Sequence, residues 1–170
     1  WIDPKFRERW KLRPTDRIKA LSVFDKTKNI SMDVKSVLRV IEESKAILAT
    51  GHLSWQESYA LVKYAVGEIG IKKIIITHPI YQRIGMPIDV QNELASMGAL
   101  MEHPYSMYSI DKIPIDEIAR QIKEVGAENC ILSSDIGQMF SKSPSESLAE
   151  FIFLLEQEGI TEREIKSMLV

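Results

Sequence analysis

Apolar residues in this chain alternate between short continuous runs and longer stretches of helical period. Ile74-Ile75-Ile76-Thr77-His78 sets three β-branched apolar side chains in succession, the pattern of a strand buried on both faces as in a parallel sheet. Pro79 has no N–H to give to a ladder, so this strand, residues 73–78, is expected to stop at His78. Residues 46–51, 99–103 and 129–135 form similar runs, ending beside His52, at His103 and at Asp135. Between them lie helical patterns with their own stop signals. Ser31 caps a predicted helix over Met32–Glu43 that places Val34, Val37, Leu38 and Ile41 on one face. Ser54-Trp55-Gln56-Glu57 has the spacing of a capping box and opens a helix to about Ile69, with Gly70 as its left-handed stop. A helix over 88–97 stops at Gly98, and Pro114 suits the first turn of another that ends at Gly126. Ser143 and Glu146 form a second capping box opening a helix over 144–158, and Thr161 caps a short last one. Residues 18–24 read as a further strand, and 104–113 as a long loop.

Strand and helix thus alternate at least four times, which makes an α/β chain with a parallel sheet. His52, His78, His103 and Asp135 follow one another at intervals of 26, 25 and 32 residues, each about the length of one strand–helix unit. Right-handed crossovers carry the carboxyl ends of all the strands to one side of the sheet, so these four side chains are expected to share a rim. Residues 18–170 read as one such (β/α) domain. Residues 1–17, rich in Lys and Arg and lacking either period, read as a basic arm or loop ahead of it. The same elements also allow a self-contained flavodoxin-like sheet that counts 18–24 as its first strand.

Composition narrows the class. A chain of 170 residues can enclose one real core, and 45% hydrophobic with 27% charged residues is the balance of a globular protein. A net charge of -2 speaks against a dedicated nucleic-acid binder. No run reaches the roughly 18–20 apolar residues of a membrane span, and none has the build of a signal peptide. The single cysteine, Cys130, can form no intrachain disulfide and fits a reducing, cytoplasmic setting. The chain opens on Trp1, which leaves room for a segment ahead of it.

Three imidazoles and a carboxylate on one rim are the ligand types of zinc, manganese or iron sites. A lone histidine at a strand end is more often a hydrogen-bonded structural residue, but here every histidine of the chain is so placed. His52, His78 and Asp135 are therefore the candidate ligands of a divalent ion, zinc foremost. Asp135 doubles as the base that takes a proton from water, and His103 as general acid or leaving-group holder. Glu102 neighbours His103 and should point to the opposite face of its strand, so only one of the two can serve the site.

The runs Leu48–Ser54, Ile76–Pro79, Glu102-His103 and Ile131–Gln138 give the chain a resemblance to the C-terminal half of the amidohydrolase superfamily, closest to an uncharacterised amidohydrolase-like family, over about residues 20–170. That superfamily has a distorted TIM-like (β/α)8 barrel around one or two metal ions. The resemblance implies that His52 matches its fifth-strand ligand, His78 its sixth-strand ligand and Asp135 its eighth-strand ligand. His103 falls on the seventh strand, where a ligand is not usual. The superfamily's first-strand H-x-H occurs nowhere in this sequence, and no fourth-strand Lys or Glu can be placed. The chain then corresponds to strands five to eight, a half-barrel expected to associate with a second copy or with an N-terminal half. The implied activity is hydrolysis of an amide, ester, lactone or phosphoester in a small-molecule substrate by metal-activated water. The alternative is a non-catalytic α/β domain that binds a ligand or partner without metal.

Overall fold

The computed structural model describes residues 21–169, so the expected arm of residues 1–17 lies outside them. The strand expected over 18–24 is not seen in its described part. Phe24 makes only an isolated antiparallel bridge to Ile30. Asp25 draws the chain into a tight polar turn instead, its Oδ1 accepting from the backbone N–H groups of Thr27 and Asn29.

From Ser31 onward the expected alternation holds. Helix α1 (Met32–Glu43) begins where the Ser31 hydroxyl accepts the N–H of Val34. Strand β1 (Leu48–Ala49) leads to α2 (Trp55–Tyr64), which runs on as a π-helical turn over Ala65–Ile69 before Gly70 stops it at φ 86°. Strand β2 (Ile74–Ile76) is followed by α3 (Ile88–Ser96), and β3 (Ala99–Pro104) by α4 (Tyr105–Ser109) and α5 (Ile115–Val125). Strand β4 (Cys130–Ser133), α6 (Pro144–Gln157) and α7 (Glu162–Met168) complete the described chain. The capping boxes at Ser143 and Thr161 are both fully made. At Ser54 the hydroxyl accepts from Glu57 N, and the Glu57 carboxylate accepts from Ser54 Oγ through Oε2 and from Ser22 Oγ and Val23 N through Oε1. The stretch expected as loop after Pro104 contains α4.

The strands form one parallel sheet in the order β1-β2-β3-β4, with Ile74 opposite Leu48 and Ala99, and Leu132 opposite His103. Sequential order separates this sheet from the flavodoxin-like arrangement, whose order reverses at its centre. Burial alternates along each strand, except at the end of β3, where His103 and Pro104 are both buried. Leu48, Ile74, Ile76, Ala99, Met101, Cys130 and Leu132 join one core with Leu61 and Val62 of α2, Leu94 of α3, Ile118 and Ile122 of α5 and Phe151 of α6. Ile75, Leu100 and Ile131 point to the other side and belong to no part of that core. Among the described residues the helices therefore cover one face of the sheet. None of these helices is long and apolar enough to cross a membrane.

Candidate functional site

The carboxyl ends of β1 and β2 are stitched by two threonines. Thr77 N donates to Thr50 Oγ1 at 3.0 Å, and Gly51 N donates to Thr77 Oγ1 at 3.1 Å. These bonds extend the pairing one step past the ladder and fix where the next residue leaves the sheet. That residue is His78, in the left-handed region at φ 49° and 7% exposed. Simple alternation from Ile76 would return it to the helix-covered side. Left-handed backbone, uncommon for a non-glycine residue, instead sets its ring beside Glu102, on the side facing away from the core. Asp135 sits just beyond β4 and is also left-handed, at φ 46°. Two such residues facing each other at strand ends are the kind of local strain that functional sites hold.

His78 lies between two carboxylates. Its Nδ1 is buried and 3.2 Å from Glu102 Oε2, off the line of a regular hydrogen bond, and its Nε2 is 3.6 Å from Asp135 Oδ2. Each carboxylate is held by a serine. Ser133 Oγ donates to Glu102 Oε1 at 2.9 Å, and Ser106 Oγ donates to Asp135 Oδ2 at 2.8 Å. Burial works to raise the Glu102 pKa, but contact with His78 and the Ser133 hydrogen bond outweigh it and hold the carboxyl below its ordinary value. Glu102 is therefore an anion at neutral pH. His52 is exposed, its ring 5.3 Å from that of His78 and 5.7 Å from that of Tyr81.

The rim thus places His52 and Asp135 each beside His78, and does not bring His103 to them. That side chain is fully buried, with neither ring nitrogen hydrogen-bonded. Burial foremost, with the nearby His78 adding to it against the opposing pull of Glu102, lowers its pKa to about 4, so the imidazole is neutral. With no exposed surface it has no route to a leaving group, and the general-acid role expected for it is corrected on that ground. Glu102 takes its place at the site. Alternation did place Glu102 and His103 on opposite faces of β3; it is the face away from the helices that holds the His78–Asp135 pair. The signal for Glu102 in the sequence was a carboxylate set directly after the apolar run Ala99-Leu100-Met101 and beside His103.

A metal ion can be tested against this geometry. Two donors bound at about 2.1 Å to a tetrahedral ion stand about 3.4 Å apart, close to the 3.6 Å between His78 Nε2 and Asp135 Oδ2. Among the described residues, however, no group of three or more His, Cys, Asp or Glu side chains is gathered as an ion would need. The pair fits that spacing, and the His52 ring stands 5.3 Å from that of His78. A depression of about 360 Å³ lined by Ile41, Lys45, Ile71 and Lys73 lies at the opposite end of β1 and β2 and holds none of these groups.

No curated protein and no solved structure matches the chain. A family model described as "Family of unknown function (DUF6282)" matches residues 4–102, a stretch that takes in His52, His78 and Glu102. That match covers more than half of the sequence, and the chain belongs to this family.

Proposed function

We propose that this rim is part of a metal-dependent hydrolase of the amidohydrolase type, acting on an amide, ester, lactone or phosphoester of a small molecule. The observation that carries it is the His78 Nε2–Asp135 Oδ2 pair, 3.6 Å apart at the carboxyl ends of β2 and β4. Both residues match ligand positions in the resemblance drawn from the sequence. Four sequential parallel strands with helices on one face support the finer architecture, half of a (β/α)8 barrel. His78, Asp135 and His52 would hold a divalent ion, zinc foremost, with manganese or iron as alternatives. Such an ion supplies Lewis acidity to water and to a carbonyl or phosphoryl oxygen. Asp135, about half exposed, takes the proton of the attacking water through Oδ1, because Ser106 occupies Oδ2. Tyr81 packs its ring against that of His52, tilted at 52° with the centroids 5.7 Å apart.

A second reading, a metal-free α/β domain that binds a small ligand or partner, is favoured by one observation, the lack of a gathered three-ligand group among the described residues. Elemental analysis of the purified chain separates the two. The hydrolase reading expects near-stoichiometric zinc, manganese or iron that is lost in a His52→Ala/His78→Ala variant and reduced in Asp135→Asn. Zinc titration that gives no saturable binding to the native chain would leave the metal-free domain.

A further inference from the structure

Glu102 has no part in the ligand set, yet its carboxylate stands closer to the His78 ring, at 3.2 Å, than that of Asp135, at 3.6 Å. A neutral imidazole carries one N–H and one lone pair, and whichever nitrogen keeps the proton decides which can bind an ion. An ionised carboxylate is an acceptor only, so a nitrogen held against it keeps its proton. Nδ1 of His78 is buried, and Glu102 Oε2 at 3.2 Å is the group that faces it. Glu102 is in turn anchored through its other oxygen by Ser133 Oγ at 2.9 Å, from the neighbouring strand. The lone pair is then left on Nε2, 3.6 Å from Asp135 Oδ2, a spacing of two acceptors that suits a cation between them.

We infer that Glu102, braced by Ser133, is a positioning residue that fixes His78 in the Nδ1–H tautomer and so presents Nε2 as the binding nitrogen. This deepens the metal reading and rests on it for its consequence, because a carboxylate behind a ligating histidine orients the ring and raises its basicity. Glu102 itself touches neither ion nor substrate. Its place on β3, between the strands that bear His78 and Asp135, makes the sheet register the device that aligns the three.

The test reads the tautomer directly and needs no metal. In the full chain labelled with ¹⁵N-histidine, the ring nitrogen shifts of His78 are expected to show Nδ1 protonated and Nε2 bare. Glu102→Gln, whose amide can either accept or donate, is expected to lose that bias, and Ser133→Ala to weaken it while keeping the carboxylate. Ser133→Ala also stands in if Glu102→Gln fails to fold, and the His52 resonances serve as the control for local disruption. Zinc affinity is expected to fall about 10- to 100-fold in Glu102→Gln. An Nε2–H tautomer in the native chain, or a ratio that neither variant moves, overturns the inference. The expected tautomer in a chain that binds no zinc supports the inference and sinks the metal reading alone.

Discussion

His103 is the residue whose environment most clearly sets a solution property. In the folded chain its pKa lies at about 4, against an ordinary 6.5, because the ring is buried with nothing to share a proton. Between those two values the unfolded chain binds a proton that the folded chain refuses. Stability from this group is therefore complete above about pH 6.5 and falls as pH drops toward 4, by about 1.4 kcal/mol per pH unit at most. Urea denaturation at pH 7 and pH 5 should show a smaller acid loss in His103→Leu than in the native chain, since leucine has nothing to protonate. An equal loss in both would place the sensitivity elsewhere. The same side chain shows what the sequence could not tell. His52, His78 and Asp135 were readable as strand-end residues, but which side of the sheet each would take depended on φ 49° at His78 and φ 46° at Asp135. A period of two carried through that turn counts His78 and His103 on the same side. Only the turn separates them, and with it goes the choice between His103 and Glu102.

At the scale of elements, local chemistry was the reliable guide. Ser31, Ser54, Ser143 and Thr161 all cap helices, and Gly70, Gly98 and Gly126 take positive φ where helices stop. The short α4 went unseen because it has no side-chain cap and follows directly on β3, with the Ser106 N–H bonded across to Ser134 O. Residues 18–24 read as a strand from composition alone, and in the described part, residues 21–24, only the single bridge of Phe24 to Ile30 forms. The π-helical turn at Ala65–Ile69 has no sequence signature that we can name. Two substitutions separate cap from core. Ser143→Ala removes the hydroxyl that accepts from Glu146 N and is expected to cost about 1 kcal/mol. Leu94→Ala empties a fully buried position between α3 and the sheet and is expected to cost about 2–5 kcal/mol. Chemical denaturation of both variants checks the ranking; a cap loss as large as the core loss would mean that α6 is held by its first turn more than by Phe151 and Leu155.

The whole molecule poses a different problem, because parallel sheets are almost always covered on both faces. Here, among the described residues, Leu48, Ile74, Ile76, Met101 and Leu132 meet helices, while Ile75, Leu100 and Ile131 meet none and Ile47 is 57% exposed. Among the described residues strands β1 and β4 each pair on one side only, so within that part both ends of the sheet offer unpaired backbone. In a barrel these would be the inner wall and the two closing seams. A half-barrel would then meet a second set of strands, from another copy or from a segment ahead of it, across the face that also bears Glu102. Sedimentation velocity on the purified chain is expected to show self-association, weakened at least about tenfold by Ile75→Asp combined with Leu100→Asp. Neither side chain belongs to the helix-side core, so the far-ultraviolet circular dichroism of the double variant should stay native. A native chain that remains monomeric and stably folded at high concentration would remove the half-barrel from consideration and leave a four-stranded sheet that works with one open face.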